Sequence, residues 1–209
     1  MSVRPREAAR RPRLPTLKPI DAPLHFVVLC TGNICRSPMG EALLADRLAK
    51  RGVDAVVSSA GLVLTGQPAS AHAITALAAR GIDHSAHRSR IMDTGILESA
   101  DLVLAMTREH LREAAVTNPA RFDRTFTLKE LVRRAAEAGS RTQGQDLGEW
   151  LDKLASGRDR RDLLGQADED DVADPYGSDR ESYERTCREI EGLIDRFVSL
   201  AWPQQGVAR

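Results

Sequence analysis

The chain has 209 residues, enough for one well-buried domain with appendages and too few for two full enzymes. Its 30 lysines and arginines balance 30 aspartates and glutamates, which excludes the global field that marks nucleic-acid and anionic-membrane binders. Three cysteines, Cys30, Cys35 and Cys187, are an odd number that argues against a secreted disulfide framework and for reduced thiols.

Residues 1–22 carry Arg4, Arg6, Arg10, Arg11, Arg13 and Lys18 among several prolines, with almost no apolar material, and read as a disordered basic arm. The arm lacks the apolar stretch of a secretory signal, and no later run approaches the roughly 18 apolar residues of a membrane span, so no membrane contact and a cytoplasmic location are expected. A domain over 23–209 follows.

Leu24 to Cys30 is an apolar, strand-like run that feeds directly into Thr31-Gly32-Asn33-Ile34-Cys35-Arg36-Ser37-Pro38. A helix is expected from about Pro38 to Arg51, with Pro38 suited to its first turn and Glu41 one position late for a capping box. Backbone amides turning into a helix N-terminus hold an oxyanion, and Arg36 adds a planar, permanently charged fork. The same field favours an anionic, nucleophilic sulfur at Cys30.

A second strand is predicted over Val53 to Ser58 and a helix from about Ala69 to Arg80, with Gly52 and Gly81 where helix C-termini tolerate positive φ. Asp101 to Met106 reads as a buried strand, Thr107 to Val116 as a short helix, Arg124 to Leu128 as a fourth strand, and a helix then runs to about Ala138. Short strands, apolar on both faces and joined by helices, predict an α/β fold: a four-stranded parallel doubly wound sheet with helices on both faces, as a single domain. The site belongs at the strand C-termini, where Cys30 lies.

Residues 139–171 turn polar and charge-dense and read as an insertion, a candidate lid or partner surface. Leu147, Trp150, Leu151 and Leu154 show helical spacing inside it, and its closing run Asp168-Glu169-Asp170-Asp171 is expected to be solvated. After Asp174-Pro175-Tyr176-Gly177 a last helix is predicted from a capping box of Ser178 and Glu181. Its apolar stripe runs through Tyr183, Cys187, Ile190, Ile194, Phe197 and Ala201, which makes Cys187 a small buried hydrophobe.

A thiolate that attacks phosphorus needs a cradle for the equatorial oxygens, a positive charge and an acid for the leaving oxygen. The amides of residues 31–36 with Arg36 supply the first two, and Ser37 can donate to the sulfur. Asp174, on a proline-stiffened loop, is the candidate acid, and Tyr176 a wall for a flat substrate group. His25, His72, His84, His87 and His110 show no ligand spacing with the cysteines, so neither a metal nor a cofactor is expected.

At these residues the chain resembles the low-molecular-weight protein tyrosine phosphatases of the bacterial type. Cys30 to Pro38 is similar to the family's signature, Ser58-Ser59-Ala60-Gly61 to its Ser-Ala-Gly turn, Asp101 to Met106 to its third strand, and Asp174-Pro175-Tyr176 to its acid loop. The resemblance implies a protein-tyrosine phosphatase that forms a phosphocysteine on Cys30, with Arg36 as phosphate clamp and Asp174 as general acid and then base. It implies Thr31, Gly32, Asn33, Ile34, Cys35, Ser37 and Tyr176 as substrate-binding residues, and Ser59 and His87, with Asn33, as supports of the loop. Cys35 resembles the family's second cysteine, which can trap an oxidised nucleophile as a reversible disulfide. Phosphotyrosine-containing proteins, with a tyrosine kinase as one candidate, are the implied partners of a monomer or weak dimer.

Three features depart from the family. The loop from Gly61 to Pro68 lacks the aromatic that some relatives use to flank the substrate ring, Tyr176 is followed by Gly177, and the 139–171 segment is unusual. Similar loops also serve protein arginine phosphatases, which carry Thr where this chain has Ile34, so Ile34 favours phosphotyrosine. Thioredoxin-coupled arsenate reductases need a further cysteine pair that residues 36–186 lack, whereas a reductase using a small external thiol stays open. An inactive phosphotyrosine-binding module is the non-enzyme alternative, disfavoured because Cys30, Arg36 and Asp174 are all present.

Overall fold

A computed structural model of the chain describes residues 22–165 and 168–204; the expected basic arm lies, but for its last residue, outside the described residues. Strands β1 (Leu24–Leu29), β2 (Ala55–Ala60), β3 (Leu102–Ala105) and β4 (Thr125–Thr127) form one parallel sheet in the order β2-β1-β3-β4. The chain builds outward from β1 to one side and then crosses back to the other. That places a topological switch point between β1 and β3, where doubly wound sheets open their ligand crevice.

Side-chain alternation along β1 explains the two helical layers. Phe26 and Val28 share a buried cluster with α1 (Arg36–Lys50), α5 (Leu128–Ala138) and α7 (Arg180–Ala201). Val27 and Leu29 join Leu97 of α3 (Thr94–Ser99) and Ala114 of α4 (Arg108–Thr117) on the opposite face. The remaining helices are α2 (Ala71–Ala78) and α6 (Leu147–Ala155).

Several boundaries move from their sequence expectations for identifiable reasons. Helix α1 starts at Arg36, two residues before Pro38, because Cys35 occupies the N-cap position. Strand β2 starts and ends two residues late, since its polar residues Ser58 and Ser59 are drawn into the sheet by partners: Ser58 Oγ lies 3.0 Å from His25 Nε2, and Ser59 Oγ accepts from Asn33. Ser70 caps α2 by accepting from Ala73, which shortens the expected helix. Helix α3, absent from the sequence reading, is a six-residue helix capped by Asp93. The predicted Ser178 and Glu181 capping box is corrected by one residue: Asp179 Oδ1 accepts from both the backbone N (2.9 Å) and Oγ (2.7 Å) of Ser182, and α7 begins at Arg180.

The charge-dense 139–171 segment is built into the main core. Trp150, Leu151 and Leu154 of α6 are each 1% exposed, and Trp150 stacks on Phe197 of α7 at 6.5 Å while its Nε1 donates to Gly139 O. Burying Leu151 and Leu154 alone is worth about 3–6 kcal/mol, which ties the segment down more strongly than a swinging lid allows. Arg158 follows the same logic. Its guanidinium lies over the rings of Phe122 (4.3 Å) and Phe126 (4.1 Å), pairs with Glu130 and donates to the Phe122 and Thr125 carbonyls.

The closing acidic run is not simply solvated. Asp168 and Glu169 are exposed, but Asp170 is buried between Arg133 (3.2 Å) and Arg108 (3.9 Å), and Asp171 Oδ1 accepts from the Arg108 amide. Val172 N then donates to Met106 O at the end of β3. These contacts fix the start of the Asp174 loop against the sheet.

Candidate active site

Cys30 stands at the C-terminal end of β1, 2% exposed, at the switch point of the sheet. Its Sγ accepts from the Asn33 amide at 3.2 Å and lies 3.0 Å from Ser37 Oγ. Both groups can donate to an anionic sulfur, and Cys35 gives α1 no side-chain cap, so the first turn of that helix opens toward the loop.

The loop conformation is held from beneath. Asn33 is the only non-glycine residue with positive φ among the described residues (52°), a costly conformation that its own side chain secures. Its Nδ2 donates to Ser37 Oγ (2.9 Å) and Ser59 Oγ (2.7 Å), its Oδ1 accepts from Arg90 N (3.0 Å), and its carbonyl accepts from His87 Nε2 (2.8 Å). Ser59 in turn donates to Glu41 Oε2. Gly61 lets β2's end pass under the loop: a Cβ there would stand 2.8 Å from both Asn33 N and Thr31 O.

Arg36 is 4% exposed. Its Nη1 donates to Val172 O (3.1 Å), and its Nη2 to Thr31 Oγ1 (3.2 Å) and Asp174 Oδ2 (2.6 Å). Its Nε is buried and donates to no protein acceptor, which leaves a charged donor available to an oxyanion above Cys30. The Asp174 side chain is 44% exposed and forms an ion pair with Arg36 at the rim.

The sulfur, Arg36 and Asp174 open on a cleft of about 190 Å³ whose apolar walls are Ile34, Val63, Leu64 and Tyr176. Tyr176 is 69% exposed and Val63 59%, which is the arrangement of a rim that covers a substrate group on contact. Leu64 lies on the loop from Gly61 to Pro68, which holds no aromatic, and gives the cleft an aliphatic wall there. No described residue of 139–171 lines the cleft.

The structure thus brings Cys30, Thr31, Gly32, Ile34, Cys35, Arg36, Asp174 and Tyr176 to one cleft and places Asn33, Ser37, Ser59 and His87 behind it. Cys35 is packed into the site's side wall, its Sγ 3.2 Å from Tyr183 OH and 3.6 Å from Ser70 Oγ, and burial pushes its thiol pKa up. Cys187 is fully buried on α7 and is pushed up to about 11 by burial.

Two residues at the site escaped the sequence reading. Glu41 reads as a displaced capping residue and is instead the acceptor at the end of the Asn33 and Ser59 chain. His110, on α4, is 1% exposed. Arg36 Nη2 donates to Thr31 Oγ1, which lies 2.9 Å from His110 Nε2, while His110 Nδ1 lies 2.8 Å from Thr107 Oγ1. The imidazole thus sits hydrogen-bonded at both nitrogens behind the arginine. Burial, with the Arg36 charge adding to it, pushes its pKa down to about 3 from 6.5.

That shift has a signed consequence. Between pH 6.5 and about 3 the unfolded chain holds a proton on His110 that the folded chain does not, so stability is complete above 6.5 and falls with acidification. The contribution is about 1.4 kcal/mol per pH unit. We expect His110→Asn to flatten the acid limb of a urea-unfolding series relative to wild type, and parallel limbs would refute a buried neutral His110.

Comparison with known proteins bears on this arrangement. The sequence model of the family described as low molecular weight phosphotyrosine protein phosphatase matches residues 25–141. A protein-arginine-phosphatase of Geobacillus stearothermophilus is 34% identical over 184 residues, 88% of this chain and 99% of its own length. A crystal structure of a low molecular weight protein tyrosine phosphatase from T. tengcongensis superposes with a TM-score of 0.64 at 34% identity, covering 84% of this chain and 98% of that one. A Cys-to-Ser mutant of YwlE arginine phosphatase, solved with a phosphorylated active-site serine, gives a TM-score of 0.64 at 31% identity over 84% of this chain and 94% of that one.

Proposed function

The chain belongs to the low molecular weight phosphotyrosine protein phosphatase family, and from that premise we propose that it hydrolyses phosphotyrosine in proteins through a phosphocysteine on Cys30. The observation that carries the chemistry is the juxtaposition of the Cys30 sulfur, the buried Arg36 Nε that has no protein acceptor, and Asp174 on the facing loop. An incoming dianion takes its equatorial oxygens to the loop amides and to Arg36. It competes with Asp174 for Nη2, and the released carboxyl, beside the dianion, takes up a proton from solvent that it then gives to the leaving oxygen.

Cys30 then attacks phosphorus in line with the departing oxygen, Asp174 protonates that oxygen, and Ser37 supports the sulfur when water cleaves the phosphocysteine with Asp174 as base. Asn33, Ser59 and His87 keep the loop in its strained form throughout. The phosphorylated serine of the YwlE variant supports a covalent route in a related protein. A thiol nucleophile beside Cys35 works where both stay reduced, which supports a cytoplasmic site of action, and a Cys30–Cys35 disulfide is the reversible product we assign to its oxidation.

Phosphoarginine is the second reading, favoured by the Geobacillus relative, which matches along nearly its full length. Against it stands the cleft wall. Ile34, Val63, Leu64 and Tyr176 suit the flat apolar ring of an aryl ester, whereas a cationic guanidinium would find Asp174 as the sole carboxylate of the lining. The deciding measurement is kcat/KM for matched phosphotyrosine, phosphoserine and phosphoarginine peptides, with arsenate reduction assayed in parallel. We expect phosphotyrosine to lead by at least tenfold, about 1.4 kcal/mol of differential transition-state binding. A lead for phosphoarginine would move the assignment to that class, and turnover of none of them would favour a binding module.

A further inference from the structure

We propose that Glu41, His84 and His87 form a binding site for a borderline divalent cation of the Zn²⁺ class, behind the phosphate loop and separate from the reaction itself. The expectation of no metal rested on the cysteines having no histidine at ligand spacing. The fold instead brings two histidines of one turn, His84 and His87, to a carboxylate on α1. Ligand atoms of all three lie within 4.8 Å of one another.

The separations suit an ion held by all three side chains. His84 Nε2 and His87 Nδ1 each stand 3.7 Å from Glu41 Oε2, too far for a hydrogen bond and near the separation of about 3.3 Å that ligands at 2.0–2.1 Å keep around tetrahedral zinc. His84 Nε2 is buried and has no hydrogen-bond partner. Its ring stacks on that of His87 at 5.1 Å, so both imidazoles are already oriented.

The tautomer of His87 is set from outside the cluster. Its Nε2 faces the Asn33 carbonyl at 2.8 Å, which can only accept, so the proton of the neutral ring sits on Nε2 and the Nδ1 lone pair points at the Glu41 carboxylate. In that tautomer a cation between Nδ1 and the carboxylate is held by both, and a backbone carbonyl behind a ligating histidine is the usual support of a metal site. Two imidazoles and one carboxylate are a zinc donor set.

The ion would tie α1 to the turn that carries His87 and, through Asn33, to the floor of the phosphate loop. Glu41 already ends the chain that runs through Ser59 and Asn33 to Ser37 beside the sulfur. The role that follows is to stiffen the loop, with no part in the chemical steps.

The test uses the full chain carrying Cys30→Ser, so that the nucleophilic thiol cannot bind the probe. Zn²⁺ titrated by calorimetry is expected to bind one equivalent with a micromolar or tighter Kd, and Co²⁺ to give the visible bands of a tetrahedral site. At a hundredfold excess over Kd, Zn²⁺ should raise Tm by about 5–10 °C. Adding His84→Ala should weaken binding at least tenfold (about 1.4 kcal/mol) and remove the Tm rise. Glu41→Gln, which keeps the shape and an acceptor for Ser59, should do the same and covers the case of a poorly folded His84 variant. Failure of Zn²⁺ to bind the parent, or binding that both variants retain, overturns the site.

Discussion

Replacement of Cys30 by serine is expected to lower aryl phosphate hydrolysis by about 10⁵-fold or more, because a thiol at this position needs no base and a hydroxyl does. The groups in contact with the sulfur are the Asn33 amide and the Ser37 hydroxyl, two donors that stabilise an anion and cannot remove a proton from an alcohol of far higher pKa. Asp174, the one carboxylate of the cleft lining, is held by Arg36 at 2.6 Å. Binding should survive, since Arg36, the loop amides and the Asn33 supports are untouched. Steady-state rates on p-nitrophenyl phosphate, paired with calorimetry of inorganic phosphate, separate the two effects. Residual turnover above about one per cent, against the losses that nucleophile removal causes, would mean that another group attacks phosphorus.

Legibility in the sequence divides along contact distance. The loop from Cys30 to Ser37 is readable because its parts are consecutive: strand end, Gly32, left-handed Asn33, arginine and helix start follow one another, so the backbone itself guarantees that they meet. The Asp174-Pro175-Tyr176 loop is readable as chemistry, but what aims it is not local. Its position depends on Asp170 between Arg133 and Arg108 and on Val172 reaching Met106, pairings across 37 to 66 residues that no periodicity announces. His110 and Glu41 escaped notice for the same reason. Each looks like an ordinary residue of its helix until Thr31 and Ser59, 79 and 18 residues away, are brought alongside.

The strand β2 and the segment 139–171 show the opposite failure, where a local pattern was read correctly and its surroundings misjudged. Ser58 and Ser59 break the apolar run, so hydrophobicity alone stops the strand early. The fold keeps them in the ladder because His25 and Asn33 satisfy their hydroxyls. In 139–171 the helical spacing of Leu147, Trp150, Leu151 and Leu154 is plain, and the charge around it suggests an appendage. Only the packing of Trp150 on Phe197 shows that the stripe completes the central core.

Asp174→Asn is expected to reduce kcat for phosphotyrosine by about 10²–10⁴-fold while leaving KM within a few-fold of wild type. The amide keeps the size of the carboxyl and can still accept from Arg36, so the cleft and the phosphate clamp remain intact. What is lost is the proton for the leaving oxygen. That loss must scale with the basicity of the oxygen: an alkyl or unsubstituted phenyl leaving group needs protonation to depart, whereas p-nitrophenolate leaves nearly as well without it. Across a series of aryl phosphates, the variant's log kcat for the first step should therefore fall steeply with leaving-group pKa and the wild type's only gently. An equal loss at every substrate would place Asp174 in the cradle and not at the leaving group. The proposed mechanism has the same residue activate water, so a second effect is expected: with p-nitrophenyl phosphate the variant should release its phenol in a burst and turn over slowly afterwards, as the phosphocysteine waits for a base.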